Sequence, residues 1–281
     1  MNKIGLVTCA ALPALPPDER LLLPLYKEAG LSTDIVIWDD PSVNWHSYDA
    51  LILRSPWDYT QKYPAFLRWL EQTRPVPLWN PRHLIQPNLD KRYLLNLEEQ
   101  GFNVCETWIC DTGEAPNLEA WYQRLGPFVV KPTVSASGMD THCFTQPPTA
   151  EQQSQIAALS AQKALMVQPF YEEIRHTGEW SFCYMGGAFS HLVLKTPPAN
   201  GFLIHEEHGG TTTARVAPAH LLEQIQPLIE SLPTPWLYAR VDGLVEDGQF
   251  MLMELELTEP SLYLNHDAQA PQRFVEALLR L

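Results

Sequence analysis

The sequence predicts an α/β (α+β) fold with a parallel-sheet unit at its N-terminal end and an antiparallel sheet at its C-terminal end. Residues 3–72 hold three apolar runs of strand length and two segments with helical spacing. Residues 237–245 and 249–257 read as two alternating strands around a turn. With 281 residues, 45% of them hydrophobic, the chain can bury a sizeable core.

The N-terminal elements follow one another as strand, helix, strand, strand and helix. We predict strands at residues 3–9, 34–38 and 48–53, and helices at residues 18–29 and 63–72. Gly30 is a typical residue to end the first helix. This order favours a small parallel sheet, whose strand ends should carry ligand contacts.

Arg54 and Ser55 follow the third strand and are candidates for binding substrate. Ligands of open α/β sheets lie beyond the carboxyl ends of the strands, and an arginine there can hold a carboxylate with two hydrogen bonds. A surface turn packed by Trp57 is the alternative.

Lys91 lies in a segment with a weak functional signal. Residues 75–87 are rich in proline, and Asn88 is expected to cap a helix over residues 89–100 that ends at Gly101. A cation in the first turn opposes the helix dipole unless an anion lies nearby. An exposed lysine is the other interpretation.

Lys131 ends an apolar strand and precedes the small-residue loop that contains Ser135, Ser137 and Gly138. An ammonium beside such a loop can contact phosphates while backbone N–H groups surround them. The GxxxxGK[ST] motif is absent, and a serine-rich surface turn would have the same composition. A helix at residues 151–162 and a strand at residues 164–167 should follow.

The next strand leaves through Gln168 and Pro169, and the segment containing Tyr171 leads to Glu179. Proline forfeits a ladder donor, which is typical of an edge or a crossover between domains. Glu179 begins a strand over residues 180–185, where its carboxylate could accept hydrogen bonds from ribose hydroxyls.

Three carboxylates distinguish the C-terminal hairpin. Its turn lies at residues 246–248, and we expect Met251, Met253, Leu255 and Leu257 to share one face. Glu254 and Glu256 then share the other face, opposite Asp242. Such carboxylates repel one another unless cations lie between them, so this set predicts a site for Mg²⁺. A solvent-facing acidic edge would show the same pattern.

Composition argues against nucleic-acid-binding, membrane and secreted proteins. The net charge of −14 disfavours sequence-independent binding to nucleic acid or to an anionic membrane. No apolar run has the length of a membrane span, and the N-terminus does not resemble a signal peptide, so we expect a cytoplasmic protein. The five scattered cysteines indicate reduced core residues. Whether copies associate into a homo-oligomer stays open.

The order of these parts resembles the ATP-grasp superfamily over residues 88–264. The resemblance implies that Lys91, Lys131 and the Ser135, Ser137 and Gly138 loop contact the phosphates of ATP. Gln168, Pro169 and Tyr171 would contact adenine, and Glu179 the ribose. Asp242, Glu254 and Glu256 would hold two Mg²⁺ ions, with Mn²⁺ as an alternative, and Glu256 replaces the usual asparagine.

A finer resemblance is to the bacterial glutathione synthetase-like branch and its small ligases similar to D-cycloserine synthetase. It rests on the motifs RSPWDY, QPFYEEI, GEWS, HEEHGG and ELELTEPSLYL. It implies a substrate-side domain at residues 1–85 and an ATP-grasp domain at 86–281. Within the latter, the lid would span about 110–166 and the metal and ATP half about 167–281.

The resemblance implies a Mg²⁺- and ATP-dependent carboxylate-amine ligase for a small amino-acid-like molecule. Lys195, Arg240 and Ser261 would face the acyl group, with His205 beside Arg54 and Ser55 at the substrate. Leu203 stands where the family commonly has a phosphate-binding arginine. Either Lys195, Arg240 or His205 compensates, or turnover is slow or lost. A nucleotide-binding protein without ligase activity, or an acidic α/β protein that binds no nucleotide, are the alternatives.

Overall fold

The computed structural model describes residues 2–199, 201–204 and 209–281. These residues form one parallel and two antiparallel sheets with helices packed on them, which confirms the mixed α/β class. No helix in these ranges is both long and apolar enough to cross a membrane.

The N-terminal sheet has the order β2-β1-β3-β4, and all of its strand pairs are parallel. Its elements are β1 (Lys3–Thr8), α1 (Leu22–Glu28), β2 (Ser32–Ile37), β3 (Ala50–Ser55), α2 (Tyr63–Gln72) and β4 (Leu78–Trp79). Every residue of β3 is buried, which is typical of a strand covered on both faces. The helix predicted at residues 18–29 is instead a 3-10 turn followed by α1. Pro24 thereby lies in the first turn of α1, where no backbone N–H is needed.

Two short helices, α3 (Arg82–Asn88) and α4 (Tyr93–Glu99), connect this sheet to the rest of the chain. The single helix predicted over residues 89–100, with Asn88 as its cap, is therefore wrong. The Asn88 side chain bonds to a neighbouring strand instead and cannot cap a helix. Lys91 consequently lies in the turn between the two helices and not on a helix.

The second sheet is antiparallel, with the order β5-β8-β6-β7. Its elements are β5 (Trp108–Cys110), α5 (Leu118–Leu125), β6 (Phe128–Pro132), β7 (His142–Phe144), α6 (Ala150–Ser160) and β8 (Leu165–Pro169). Phe128 and Phe144 stack at 4.8 Å between ring centroids within a small core of their own. Thr149 and Gln152 form a capping box that fixes the start of α6.

The third sheet is antiparallel and has the order β11-β10-β9-β12-β13. Its elements are α7 (Glu173–His176), β9 (Glu179–Met185), β10 (Ala188–Thr196), β11 (Thr211–Arg215), α8 (Ala219–Ser231), β12 (Tyr238–Glu246), β13 (Gln249–Glu256) and α9 (Ala270–Leu279). The buried residues of α8 and α4 pack against one face of this sheet. On the other side, α1 and α9 form a core with the N-terminal sheet. The first and third sheets therefore contribute side chains to one apolar core.

The hairpin of β12 and β13 contains a bulge that the sequence did not reveal. Its turn residues Asp247 and Gly248 both have positive φ, as a tight two-residue hairpin turn requires. Asp242 pairs with Glu254 but the next residue pairs with Leu252, so Met253 is an extra residue in β13. The bulge reverses the alternation, and the predicted single face for the odd-numbered residues 251–257 is wrong. Phe250, Leu252, Leu255 and Leu257 enter the core together.

β13 is an edge strand, yet its outward backbone groups are bonded. Asn88 donates to the Leu255 carbonyl and accepts from the Leu257 N–H, at 2.7 and 2.8 Å. The Tyr93 hydroxyl accepts from the Leu255 N–H at 2.9 Å. Nearer the turn, Asn103 bonds through its side chain to the Phe250 carbonyl and through its own carbonyl to the Leu252 N–H. These contacts hold the strand that carries Glu254 and Glu256.

Candidate active site

A cavity of about 420 Å³ lies where the three sheets meet. Side chains from the N-terminal unit, the second sheet and the third sheet all line it. Six carboxyl groups and four cations are among the lining residues that the structure describes: Asp18, Glu179, Asp242, Glu254, Glu256, Glu259, Lys91, Lys131, Lys195 and Arg240. Such a concentration of charge in a concave site is typical of a functional centre.

Lys91 and Lys131 approach the same wall of this cavity from different elements. The Lys91 ammonium lies 2.9 Å from the Glu254 carboxylate and donates to the Ser135 carbonyl at 2.7 Å. Burial alone would lower the pKa of Lys91, but the attraction of the Glu254 carboxylate outweighs it, so the pKa is raised. Burial lowers the pKa of Lys131, which makes no ion pair with any described residue. Lys131 is therefore the cation that is readier to receive an anion.

The loop of Ser135, Ser137 and Gly138 lines the cavity next to these lysines. Ser137 and Gly138 both adopt positive φ, at 53° and 67°. Glycine reaches this region freely, whereas a serine does so at a cost, so the backbone here holds a special conformation. The loop is anchored at one end by the bond from Lys91 to the Ser135 carbonyl.

Asp242, Glu254 and Glu256 come together as predicted. Each offers a carboxylate oxygen, and the three oxygens lie within 4.8 Å of one another. Burial would raise the pKa of Asp242, but Arg240 and Lys195 more than offset it and lower the pKa. Burial likewise opposes the charge of Glu254, while Lys91 and Lys131 lower its pKa. Burial raises the pKa of Glu256 to about 8, with Glu254 and Asp242 adding to the effect.

Lys195, Arg240 and Glu179 form a continuous chain of charge with Asp242 and Glu256. Lys195 lies 2.5 Å from Glu179 and 3.4 Å from Asp242. Arg240 lies 2.8 Å from Asp242 and 2.5 Å from Glu256. Arg240 also donates to the carbonyl of Ser261 at 2.9 Å, so the backbone of Ser261 is fixed at the rim of the site.

The segment predicted to contact adenine forms a further part of the cavity wall. Gln168, Pro169 and Tyr171 all line it. The Gln168 amide donates to the Thr107 hydroxyl at 2.9 Å, which fixes its orientation. The Tyr171 hydroxyl accepts from the Glu106 N–H at 3.3 Å. The ring of Phe170 beside them stacks under Arg175, at 4.6 Å.

Arg54 and Ser55 do not fit the substrate role predicted for them. Arg54 is 1% exposed, and its guanidinium makes a two-point ion pair with Glu19. Ser55 is fully buried and bonds to Thr8 at 2.8 Å. Neither residue lines the cavity. The strand end is covered by the chain before α1, so both side chains serve the core of the first unit.

Two further predictions concern the segment after β10. Leu203 lines the cavity, as expected for the position of the missing arginine, and brings no charge. His205 lies outside the described residues, so its substrate role stays a prediction.

The sequence interpretation missed Glu259, Tyr59, Asn88 and Tyr263, which all line the cavity. Burial raises the pKa of Glu259 to about 7. Tyr263 adopts a positive φ of 49° and lies 5.5 Å from the Arg240 guanidinium. Glu259 follows the metal-type carboxylates by three residues, and that proximity was the one signal available in the sequence.

The donor set fits a divalent cation and a polyphosphate. Oxygen ligands from three carboxylates are those that Mg²⁺ prefers, and the flanking lysines suit phosphate oxygens. Because Glu256 has a raised pKa and three carboxyl groups share the site, a cation with more than one charge would stabilise them together. The residues present therefore fit both Mg²⁺ and ATP.

Comparison with known proteins shows that the chain shares its fold with ATP-grasp proteins. A family model for the N-terminal domain of D-cycloserine synthetase DcsG matches residues 4–80. The cycloserine biosynthesis protein DcsG of Streptomyces lavendulae is 29% identical over 297 aligned residues, which cover 99% of this chain and 98% of the relative.

Solved structures agree. The crystal structure of D-cycloserine synthetase DcsG superposes with a TM-score of 0.84 at 28% identity, covering 99% of both chains. A RimK domain ATP-grasp protein from Sphaerobacter thermophilus shares the fold, with a TM-score of 0.70 at 16% identity and 99% of each chain covered. The chain thus has the ATP-grasp fold, and its similarity to D-cycloserine synthetase supports an ATP-dependent carbon–nitrogen ligase. Within this class, the chain is similar to D-cycloserine synthetase along almost its whole length.

Proposed function

We propose that the chain uses ATP to activate the carboxylate of a small amino-acid-like substrate as an acylphosphate, which an amine then attacks. A carboxylate oxygen attacks the γ-phosphorus of ATP and releases ADP, and the amine nitrogen displaces phosphate from the acyl carbon. The nucleophile belongs either to a second molecule or to the same one, in which case a ring closes. One observation carries this proposal. Lys91, Lys131 and the three facing carboxylates lie in a single cavity.

Each group of residues would have a distinct task in this reaction. Lys91, Lys131 and the Ser135, Ser137 and Gly138 loop would hold the phosphates. Gln168, Pro169 and Tyr171 would hold adenine, and Glu179 the ribose. Asp242, Glu254 and Glu256 would bind two Mg²⁺ ions, or Mn²⁺, which neutralise the phosphate charge. Lys195, Arg240 and Ser261 would face and position the acyl group.

Leu203 supports a second candidate, a nucleotide-binding protein with impaired catalysis. The residue lines the cavity without supplying a charge to the transferred phosphate. Against this stand Lys195 and Arg240, two buried cations at the same site that can supply the charge. Phosphate release from ATP over a panel of amino acids and amines, with mass spectrometry of the products, separates the two candidates. Nucleotide binding without stimulated release over the whole panel favours the second.

ATP is expected to bind weakly without a divalent cation. Asp242, Glu254 and Glu256 would repel the triphosphate, and the lysines beside them are partly neutralised by those same carboxylates. Calorimetry with and without Mg²⁺ should show affinity at least about tenfold higher with the metal. A titration with NaCl at matched ionic strength is the control. Equal affinities would remove the metal role from these carboxylates.

The loop of Ser135 to Gly138 is expected to become protected when nucleotide binds. A backbone that closes over phosphate loses accessibility to proteases, as closing loops do in many transferases. Limited proteolysis with subtilisin, followed by mass spectrometry, should show slower cleavage near Ser137 on addition of ATP and Mg²⁺. Cleavage at the exposed loop around Gly113 is the internal control. Equal rates near Ser137 with and without nucleotide contradict loop closure.

A further inference from the structure

Glu259 occupies the part of the cavity wall nearest the N-terminal unit. The residue is 8% exposed, and Pro16, Trp57 and Tyr59 line the same cavity. None of these residues belongs to the segment at residues 168–171 that is predicted to contact adenine, and Trp57 and Tyr59 lie in a 3-10 helix of the first unit. The Glu259 carboxylate, which follows the last strand of the third sheet, thus faces loops of the first unit.

The charge of Glu259 is not matched as that of its neighbours is. Glu179, Asp242, Glu254 and Glu256 each lie within 4 Å of a lysine or arginine. Glu259 makes no ion pair with any residue in the described ranges. Asp18, the other carboxyl group of the lining without such a pair, is more exposed and can be hydrated. An unpaired carboxylate that is nine-tenths buried costs free energy unless a bound group compensates it.

The structure holds Glu259 in place rather than letting it turn to solvent. The Trp57 indole donates to the Glu259 carbonyl at 3.0 Å, and Arg54 donates to the next carbonyl, that of Pro260, at 3.2 Å. Burial raises the pKa of Glu259, and a hydrogen bond from the Tyr59 phenol to its carboxyl group opposes that rise. The carboxylate is therefore oriented before any ligand arrives, which lowers the entropy cost of binding.

We propose that Glu259, supported by Tyr59, is the specificity residue that binds the ammonium group of the substrate. An ammonium supplies the missing positive charge and donates hydrogen bonds, which a carboxylate only accepts. A phosphate or a second carboxylate would be repelled. This inference rests on the proposed function, since it assigns the amino-acid character of that substrate to one side chain.

The test compares amino acids with partners that lack the ammonium. Alanine and serine in both enantiomers are titrated by calorimetry with Mg²⁺ and a non-hydrolysable ATP analogue present, beside lactate, glycerate and the N-acetyl amino acids. The wild-type protein should bind at least one amino acid about 10- to 100-fold more tightly than its hydroxy partner. In Glu259→Gln this preference should fall below about threefold while nucleotide affinity stays within about twofold.

Two further variants make the result specific. Tyr59→Phe removes the phenol but keeps the ring, and should reduce the preference partially. Glu246→Gln removes an exposed carboxylate at the hairpin tip and should leave binding unchanged. Melting temperatures show whether Glu259→Gln folds, and a glutamine in place of an unpaired buried carboxylate should not lower them.

The outcomes separate this inference from the proposed function. An unchanged preference for amino acids in Glu259→Gln overturns the inference, even if turnover proceeds. Amino-acid binding that depends on Glu259 without phosphate release supports it while the ligase proposal fails. If the wild-type protein binds no amino acid more tightly than the matching hydroxy acid, the assignment of an ammonium site is overturned.

Discussion

Glu254→Gln is expected to reduce ATP-dependent turnover by about 100-fold or more. Glu254 lies 2.9 Å from Lys91 and belongs to the cluster of three carboxylates that would hold the cations. Glutamine keeps one carbonyl ligand but loses the charge, and with it part of the neutralisation of the phosphates. Phosphate release at saturating ATP and Mg²⁺ measures the effect.

The same substitution is expected to lower the melting temperature when no metal is bound. The pKa of Glu254 is lowered overall because Lys91 and Lys131 outweigh burial. A carboxyl group whose pKa is lowered by folding stabilises the folded state above its ordinary pKa, so neutralising it removes that contribution. From the sequence alone, three repelling carboxylates favoured the opposite sign, because the ion pair with Lys91 was not visible.

Thermal unfolding of Glu254→Gln beside Glu246→Gln, with and without Mg²⁺ and ATP, checks both effects. The variant should also gain less from the ligands than the wild type does. Product formation at the wild-type rate would show that the carboxylates form only an acidic edge of the hairpin. A raised melting temperature would show that repulsion outweighs the pairing with Lys91.

Arg54→Met is expected to destabilise the fold by about 3–5 kcal/mol. Glu19 and Arg54 are 2% and 0% exposed in their side chains, so removing the guanidinium leaves a buried carboxylate alone. Burial already raises the pKa of Glu19, and the loss of Arg54 raises it further. Protonation of Glu19 in the folded variant should therefore shrink the loss as pH falls toward the ordinary pKa of a glutamate.

Urea unfolding of Arg54→Met and of the double variant Glu19→Leu with Arg54→Met tests this account. An apolar pair of similar volume should recover most of the lost free energy, since no unpaired charge is left. If Arg54 held a substrate carboxylate instead, its substitution would impair substrate binding with little loss of stability. That result would reverse the structural assignment made above.

Local patterns in the sequence predicted the parallel first sheet, helix α2 and the hairpin turn. An Asp-Gly pair, here Asp247 and Gly248 with positive φ, is a strong sequence signal for a tight hairpin turn. The three carboxylates were found for the same reason, because strand alternation across one turn brings them together. No sequence pattern reveals the bulge at Met253, and the bulge determines which side chains of β13 enter the core.

Contacts between distant segments could not be predicted in this way. Arg54 looked free at a strand end because its partner, Glu19, lies 35 residues earlier. Asn88 looked like a helix cap, but its amide bonds to backbone 167 and 169 residues away. The pKa of Glu259 depends on its burial and on Tyr59, which lies 200 residues earlier in the chain. Each case depends on tertiary packing, which periodicity does not encode.

The side-chain bonding along the outer edge of β13 has a consequence for association between copies of the chain. An exposed edge strand offers free N–H and C=O groups to any extended segment, which is the usual start of aggregation. Here Asn88, Tyr93 and Asn103 occupy those groups, so an incoming strand would have to break bonds before making any. Amide hydrogens of Leu252, Leu255 and Leu257 should accordingly exchange slowly with deuterated solvent, although they lie at the margin of their sheet.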